Sequence, residues 1–414
     1  MKTSKILFAL ACILAWGFSG QLMATDLIVE ENGVFPNYAT ISDAVAAAGN
    51  GDRIFVKNKA GNIPYLENVT IAVSVEVLPF DQDGFFVVQG DYTLNPAIGR
   101  SITIIGMQNL VGSINAAVNS PAGTPTRVNV MGSEFLSGNI NISGTNYVSH
   151  VSGNRLHSGS ITVRYATVTG NEVNGSIFMN DAAQLTSEDT LYVVGNRLRT
   201  QANGNTSGRL EWNNNEHYLY IANNLIVTTY GSGAIDINAL KAGAGINRIH
   251  NNSIQTDGSC CDEGIVTTSQ PAPGTLYIEN NAIYDSGSSS NTGILTGAAS
   301  GAFVGVYFNG WRGSGTAVSG SNIAQTGNFT SSSISFNLAS GECTNAACID
   351  TGSPSTDFTD LDLSRNNIGV AGGSFNFNNF YPILTGGARV YLVKTPRTVV
   401  QTSTIRAEAE SYDR

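Results

Sequence analysis

Charge is scarce in this chain: Asp, Glu, Lys and Arg together make up 13% of its 414 residues. Long surface helices want Glu and Lys on their wet faces, so the shortage argues against a helical protein. After the first two dozen residues no apolar run is long enough to span a bilayer, and no transmembrane segment is expected in the mature chain. Basic residues are outnumbered, 21 against 31 acidic ones, for a net charge of −10. Nucleic acid is therefore not an expected partner, although a local basic patch could still meet another anionic polymer. Five cysteines include no CxxC pair, which leaves little support for a zinc site. What the chain has instead is 46 glycines and a wealth of Asn, Ser and Thr, the profile of many short strands joined by turns.

The first residues speak to the compartment. Lys2 and Lys5 precede an apolar run from Ile6 to Trp16, and small residues follow up to Thr25. This reads as a secretory signal peptide, residues 1–24, cut near Ala24, so the protein is expected to be secreted or held at the cell surface. Cys12 lies inside the removed run. Cys343 and Cys348 could close a small disulfide loop in an oxidising compartment, whereas the adjacent Cys260 and Cys261 cannot easily bridge each other.

Six times the chain writes an aliphatic, any residue, Gly or Asn, Asn, any residue, an aliphatic. The copies are VSGNRL, VTGNEV, VVGNRL, IANNLI, IHNNSI and IENNAI, which place Asn154, Asn171, Asn196, Asn224, Asn252 and Asn281 between two aliphatics. Behind each comes a glycine and a strand-like triplet, from Gly159, Gly175, Gly208, Gly233, Gly264 and Gly293. Two weaker copies lie upstream, VMGSEF with GNINI and ITIIG with GSINA. The spacing drifts, which excludes a rigid array. Constant strands with turns of variable length point to a parallel β-helix. The aliphatics then stack inward on equivalents about 4.8 Å away, one rung along the axis. Asn suits the sharp turn, since it tolerates the left-handed conformation, and stacked Asn side chains can hydrogen-bond from rung to rung.

After the leader, FPNYATISDAVAAAGNGDRIFVKNKAGNIPYLENVTI resembles the opening of the pectin lyase-like superfamily of right-handed β-helices. The resemblance implies a short amphipathic helix, with Ile41, Ala44, Val45 and Ala48 on one face, capping the open core. GNGDRIFV then turns into the first strand, and PYLENVTI supplies the next. IDTGSPSTDFTDLDLSRNNIGVAGG resembles the last coil of many secreted bacterial β-helix proteins. The expected fold is thus all-β, a right-handed parallel β-helix over residues 25–373. Residues 374–414 carry two alternating segments around Thr395-Pro396-Arg397, a hairpin-like extension with a polar tail. It could cover the last edge or mediate self-association.

The resemblance is silent about the reaction. The Asn-Thr-Asp, Asp-Asp and Gly-His-Gly set of polygalacturonases is missing, as is the Arg-x-Pro-x-x-Arg of pectate lyases. Register offers another approach. Three positions after the repeat glycines stand Thr162, Phe178, Glu211, Asp236, Thr267 and Thr296, which should form one outward column. Glu211 and Asp236 then occupy consecutive rungs, where one carboxyl takes a raised pKa, a cation such as calcium lies between them, or Arg209 neutralises them. An acid/base pair and a plain solvated surface are both open readings. A basic set is also present. Arg155, His157, Arg197 and Arg199 follow ladder asparagines, and Lys241, Arg248 and His250 come later. These could supply the cation and the base of a lyase, or be ordinary outward side chains. Trp212, Tyr218 and Tyr220 could stack on sugar rings or pack in turns. Two functions follow: a non-catalytic β-helix in adhesion, surface structure or polysaccharide binding, or a lyase or glycoside hydrolase acting on an acidic glycan.

Overall fold

A computed structural model describes residues 24–81, 84–180, 190–200, 208–229, 233–257, 263–267, 274–287, 290–297, 302–320, 323–373, 375, 377–380, 389–394 and 408–412. Residues 1–23 of the expected signal peptide, Cys260 and Cys261 lie outside them. Three long sheets run the length of the molecule, and within each every neighbouring pair is parallel. The first has 13 strands, from Asp26–Val29 to Ile323–Thr326. The second has 12, from Tyr65–Leu66 to Phe329–Thr330, and the third 11, from Val69–Ile71 to Val318–Gly320. The chain visits the three in turn and returns to the first one rung further on. This is a parallel β-helix.

Period-2 alternation supplies the core. In the third sheet the triplets IDI, IVT and ILT each bury their outer residues and leave the middle one half exposed. One continuous core runs from Val29 to Trp311 and contains Val193, Leu198, Ile249 and Ile254. At its open end α1 (Ile41–Ala47) lays Ile41, Ala44 and Val45 on the core, with Ala48 buried just after it. Thr40 caps the helix through Asp43 N–H, and the Glu67 carboxylate accepts from the N–H groups of Ile41 and Ser42 at 2.8 Å each. The first strand is not GNGDRIFV but Asp26–Val29, which pairs with Asp52–Val56. Its four residues, DLIV, carry no repeat signal, so the sequence pattern passes over them.

The asparagines stand at the turn between the first and second sheets and form an unbroken ladder. Asn154 Nδ2 donates to Asn171 Oδ1 at 2.9 Å, and the same bond recurs from Asn171 to Asn196, Asn224, Asn252 and Asn281. Each Oδ1 also accepts the backbone N–H of the preceding ladder residue, as from Asn196 to Asn224 at 2.9 Å. Each Nδ2 gives a second bond to a first-sheet carbonyl one rung back. The ladder is longer than the repeat suggests. Asn309 and Asn328 extend it, and Ser133 occupies its first step. Asn309 escapes the pattern because Phe308, not Gly or Asn, precedes it. The left-handed residue is therefore the one before each ladder asparagine: Gly153, Gly170 and Gly195 first, then Asn223, Asn251 and Asn280, and finally Phe308 and Gly327. The ladder asparagine makes the bonds while its neighbour makes the turn.

The segment expected as a last coil contributes no strand to the three sheets. The final rung ends at Thr330, and the described residues of 331–380 fold back along the outside of the turn column as a strap. Its Cys343–Cys348 disulfide, with Cα atoms 5.9 Å apart, packs with Ile334 and Ile368 against Ala282. Further back, Asn280, Asn251 and Asn223 hold it in succession. Asn280 Oδ1 accepts from Ser353 N–H, Asn251 Nδ2 donates to Asn366 and Asn367, and Asn223 Nδ2 donates to the carbonyls of Val370 and Gly372. At Gly170 and Gly195 any side chain would collide with Phe380. The switch from Gly-Asn to Asn-Asn along the repeat thus marks the rungs that anchor the strap by hydrogen bonds.

Beyond it, Arg389–Lys394 pairs antiparallel with Glu408–Tyr412 in a sheet of its own. The partner strand lies in the stretch read as a polar tail, not directly after Pro396. The hairpin adds no strand to the helix edge.

Replacing Asn224 by Leu deletes four buried hydrogen bonds and strands the Asn196 N–H. We expect a loss of about 2–5 kcal/mol, read as a lower urea midpoint. An unchanged midpoint would show that the ladder does not hold the rungs.

Candidate functional site

Glu211 and Asp236 are register partners on adjacent strands of the third sheet, and both side chains point outward, half-buried. Arg209 already sits on Glu211 at 2.6 Å, and Asn213 donates to the other oxygen at 2.9 Å. Asp236 Oδ1 is buried and has no hydrogen-bond partner among the described residues. Burial first, and then the Glu211 charge, push its carboxyl above the ordinary range, while Arg209 partly opposes them. The rest of the expected column needs correction. Val266 and Leu295 follow Asp236 in register, whereas Thr267 and Thr296 face the core and are 2% exposed. The turns at Gly264 and Gly293 are one residue shorter than those at Gly159 and Gly175, and one residue reverses the face. Among the described residues no group of three or more His, Cys, Asp or Glu could hold a metal. A calcium ion would need most of its six to eight oxygens from water or main chain here.

Two of the three aromatic candidates are not available for stacking on a sugar. Trp212 is fully buried in the core, its indole N–H bonded to Asn214 O at 2.7 Å. Tyr218 is 4% exposed, accepts from Gly245 N–H and lies under the Lys241 ammonium at 5.3 Å. Lys241 itself is buried and donates to Glu216 O at 2.7 Å. Only Tyr220 stands half exposed, on the first sheet.

The basic set is not a cationic surface. At the first position of the second sheet Glu134, Arg155, Glu172 and Arg197 are register partners in that order, with signs alternating rung by rung. Arg155 meets Glu172 at 3.1 Å and Glu134 at 3.8 Å, and His157 Nε2 lies 2.7 Å from Glu134. Hydrogen bonds from His157 and Gln108 hold the Glu134 carboxyl below its usual range against the effect of burial. The offset was visible in the sequence, since SEF, NRL, NEV and NRL alternate in sign, but the eye goes to the arginines. Arg197 is buried against the Phe377 ring of the strap, and Arg199 donates to Leu338 O at 2.7 Å.

The first sheet brings together a further outward group. Tyr220, Arg248 and Tyr277 follow one another in register, and Tyr192 pairs with Tyr220. Two positions on, His250, Glu279 and Tyr307 form the next row. Arg248 meets Glu279 at 3.1 Å and lies over Tyr277 and the strap's Phe358. His250 is 2% exposed, wedged between Tyr220 and Phe358, and its Nδ1 is 3.0 Å from Asn251 Oδ1. Burial raises the Glu279 carboxyl to about 7 in spite of Arg248, and Asp357 adds to the rise. Glu279 has the same offset in its repeat as His250, which is the signal that could have found it.

Fold and site define a parallel β-helix with one aromatic outer face beside a docked strap. No family model, no curated protein and no solved structure matches this chain.

The folded state binds the Glu279 proton more tightly than the unfolded chain, whose carboxyl titrates near 4.5. Its stabilising contribution is complete below that value and is lost as pH rises through about 7. Thermal melts between pH 5 and 8 should fall with pH, and Glu279→Gln should flatten the fall. If Glu279→Gln leaves the slope intact, the burial of this carboxyl is not its source. For Asp236→Asn we expect the same melting temperature with calcium as with chelator. A drop confined to calcium would place the ion between the two carboxylates.

Proposed function

We propose that this chain is a secreted or cell-surface β-helix of the pectin lyase-like kind that binds polysaccharide without cleaving it. The observation that supports this reading most is the row on the first sheet. Tyr192, Tyr220 and Tyr277 are half exposed on a rigid strand array, with the Tyr192 and Tyr220 rings 5.2 Å apart and Arg248 between Tyr220 and Tyr277. Flat rings at fixed rung spacing suit the apolar faces of successive sugars, and the guanidinium suits their hydroxyls or carboxylates. The candidate cations and Glu211 are engaged within the protein: Arg209 on Glu211, Lys241 on a main-chain carbonyl, His250 between two rings. No helix of the described residues is long and apolar enough to cross a membrane.

A second reading, a lyase or glycoside hydrolase on an acidic glycan, draws on the raised Asp236 carboxyl one rung from Glu211. Acid/base hydrolysis pairs a carboxyl of raised pKa with a second carboxyl group close by.

One assay separates the two. The mature protein is incubated with uronic-acid and neutral polysaccharides, following retention on the polymer, reducing ends and absorbance of unsaturated products. We expect retention without product, weakened on the order of tenfold by Tyr277→Ala. Product formation that disappears in Asp236→Asn would establish the enzyme instead.

A further inference from the structure

A second place on the molecule has the chemistry of a binding site. A cleft of about 370 Å³ opens near the last rungs of the second sheet, lined by Tyr284, Asp285, Ser286, Arg312, Ser314 and Ser331 among others. Three successive turns build it, following the strands Ala282–Asp285, Gly310–Arg312 and Phe329–Thr330. Tyr284 and Arg312 are register partners and point outward side by side. The guanidinium lies 4.4 Å from the centre of the Tyr284 ring, and its Nη1 donates to Ile334 O at 3.0 Å. Ring and carbonyl fix the plane of the fork, so little side-chain entropy remains to be lost on binding.

Arg312 differs from Arg155, Arg209 and Arg248, which all face carboxylates. It has no ion-pair partner among the described residues. It lines the cleft together with Tyr284, Asp285, Gly313 and a group of serine and threonine residues. The one carboxylate in the wall, Asp285, is 4% exposed and spent on the protein. Its oxygens accept from Gly287 N–H at 2.9 Å, Asn291 Nδ2 at 3.1 Å and Thr256 Oγ1 at 3.4 Å. What a ligand meets is a planar, always-charged donor fork backed by small hydroxyls.

We propose that this cleft is a subsite for the anionic group of an acidic sugar, a carboxylate or a sulfate, held by Arg312 with the turn hydroxyls on the neighbouring oxygens. A planar fork matches the two oxygens of either group, and hydroxyls serve ring OH groups as both donors and acceptors. The site is independent of the aromatic row on the first sheet.

Calorimetric titration of the mature protein with three oligosaccharides of equal length tests it: one uronic, one sulfated and one neutral. We expect at least one charged ligand to bind and the neutral one not to, with binding weakened by salt. The sulfated and uronic arms tell the two anions apart. Arg312→Ala should weaken binding tenfold or more, and Arg312→Lys should recover only part, since an ammonium lacks the fork. All titrations are made on a Tyr220→Ala/Tyr277→Ala background, so that glycan held by the first-sheet row, or its failure to bind there, is not mistaken for the outcome at this cleft. If the variants fold poorly, ligand protection of Arg312 from arginine-specific modification in the wild-type protein, read by mass spectrometry, replaces them. Equal affinity for the neutral sugar, no binding by either charged one, wild-type affinity in Arg312→Ala, or unprotected Arg312 would overturn the proposal.

Discussion

A column of buried carboxamides sets the geometry on which everything else in this molecule depends. Each ladder asparagine bonds to the one above and the one below, and to the main chain on both sides, so a rung cannot slip or tilt without breaking several buried bonds at once. That fixes only one corner of each coil. The opposite loops are free to differ in length, which is why the sequence spacing drifts while the sheets stay in register. Outward side chains inherit the rung spacing, and so pairs such as Glu211–Asp236 and Tyr192–Tyr220 come within reach of each other.

The residue before each ladder position carries a second layer of information. All must take the left-handed conformation, which glycine and asparagine both tolerate. Where the chain uses asparagine, the side chain projects to the outside and ties down the strap. Where it uses glycine at 170 and 195, the strap's Phe380 lies against the bare backbone. The strap changes the character of the first and second sheets. It converts His250, Arg197 and Glu279 from outward residues into buried ones, and it raises the Glu279 carboxyl by taking it out of water. Asp360, within the strap, is raised to about 6 by the same cause although it accepts two backbone N–H bonds.

Charge on this surface is placed economically. Glu134, Arg155, Glu172 and Arg197 alternate along one column, and Arg209 and Arg248 each answer a carboxylate on their own sheet. These pairs are half-buried or deeper, and their arrangement keeps like charges off adjacent rungs. Arg312, like Arg199, departs from that pattern by meeting a main-chain carbonyl instead of a carboxylate.

By itself the sequence determined the architecture. Local alternation, the glycine and asparagine turns and the amphipathic Ile41–Ala48 stretch are short-range features, and each was legible in a window of a few residues. The Glu211–Asp236 pairing was legible for the same reason, because equal offsets from Gly208 and Gly233 give equal faces. Thr267 and Thr296 were misplaced where a turn was shorter by one residue, and Asn309 was missed where Phe308 replaced the expected Gly or Asn. What only the tertiary structure decided is burial from outside. Strap contacts join residues more than a hundred positions apart, such as Asn251 with Asn366 and Asn223 with Val370. No periodicity encodes such contacts, because the strap has no strand period of its own. Whether His250 faces solvent or a phenylalanine, and whether Trp212 points out to a sugar or into the core, is settled by which surfaces the rest of the chain comes to cover.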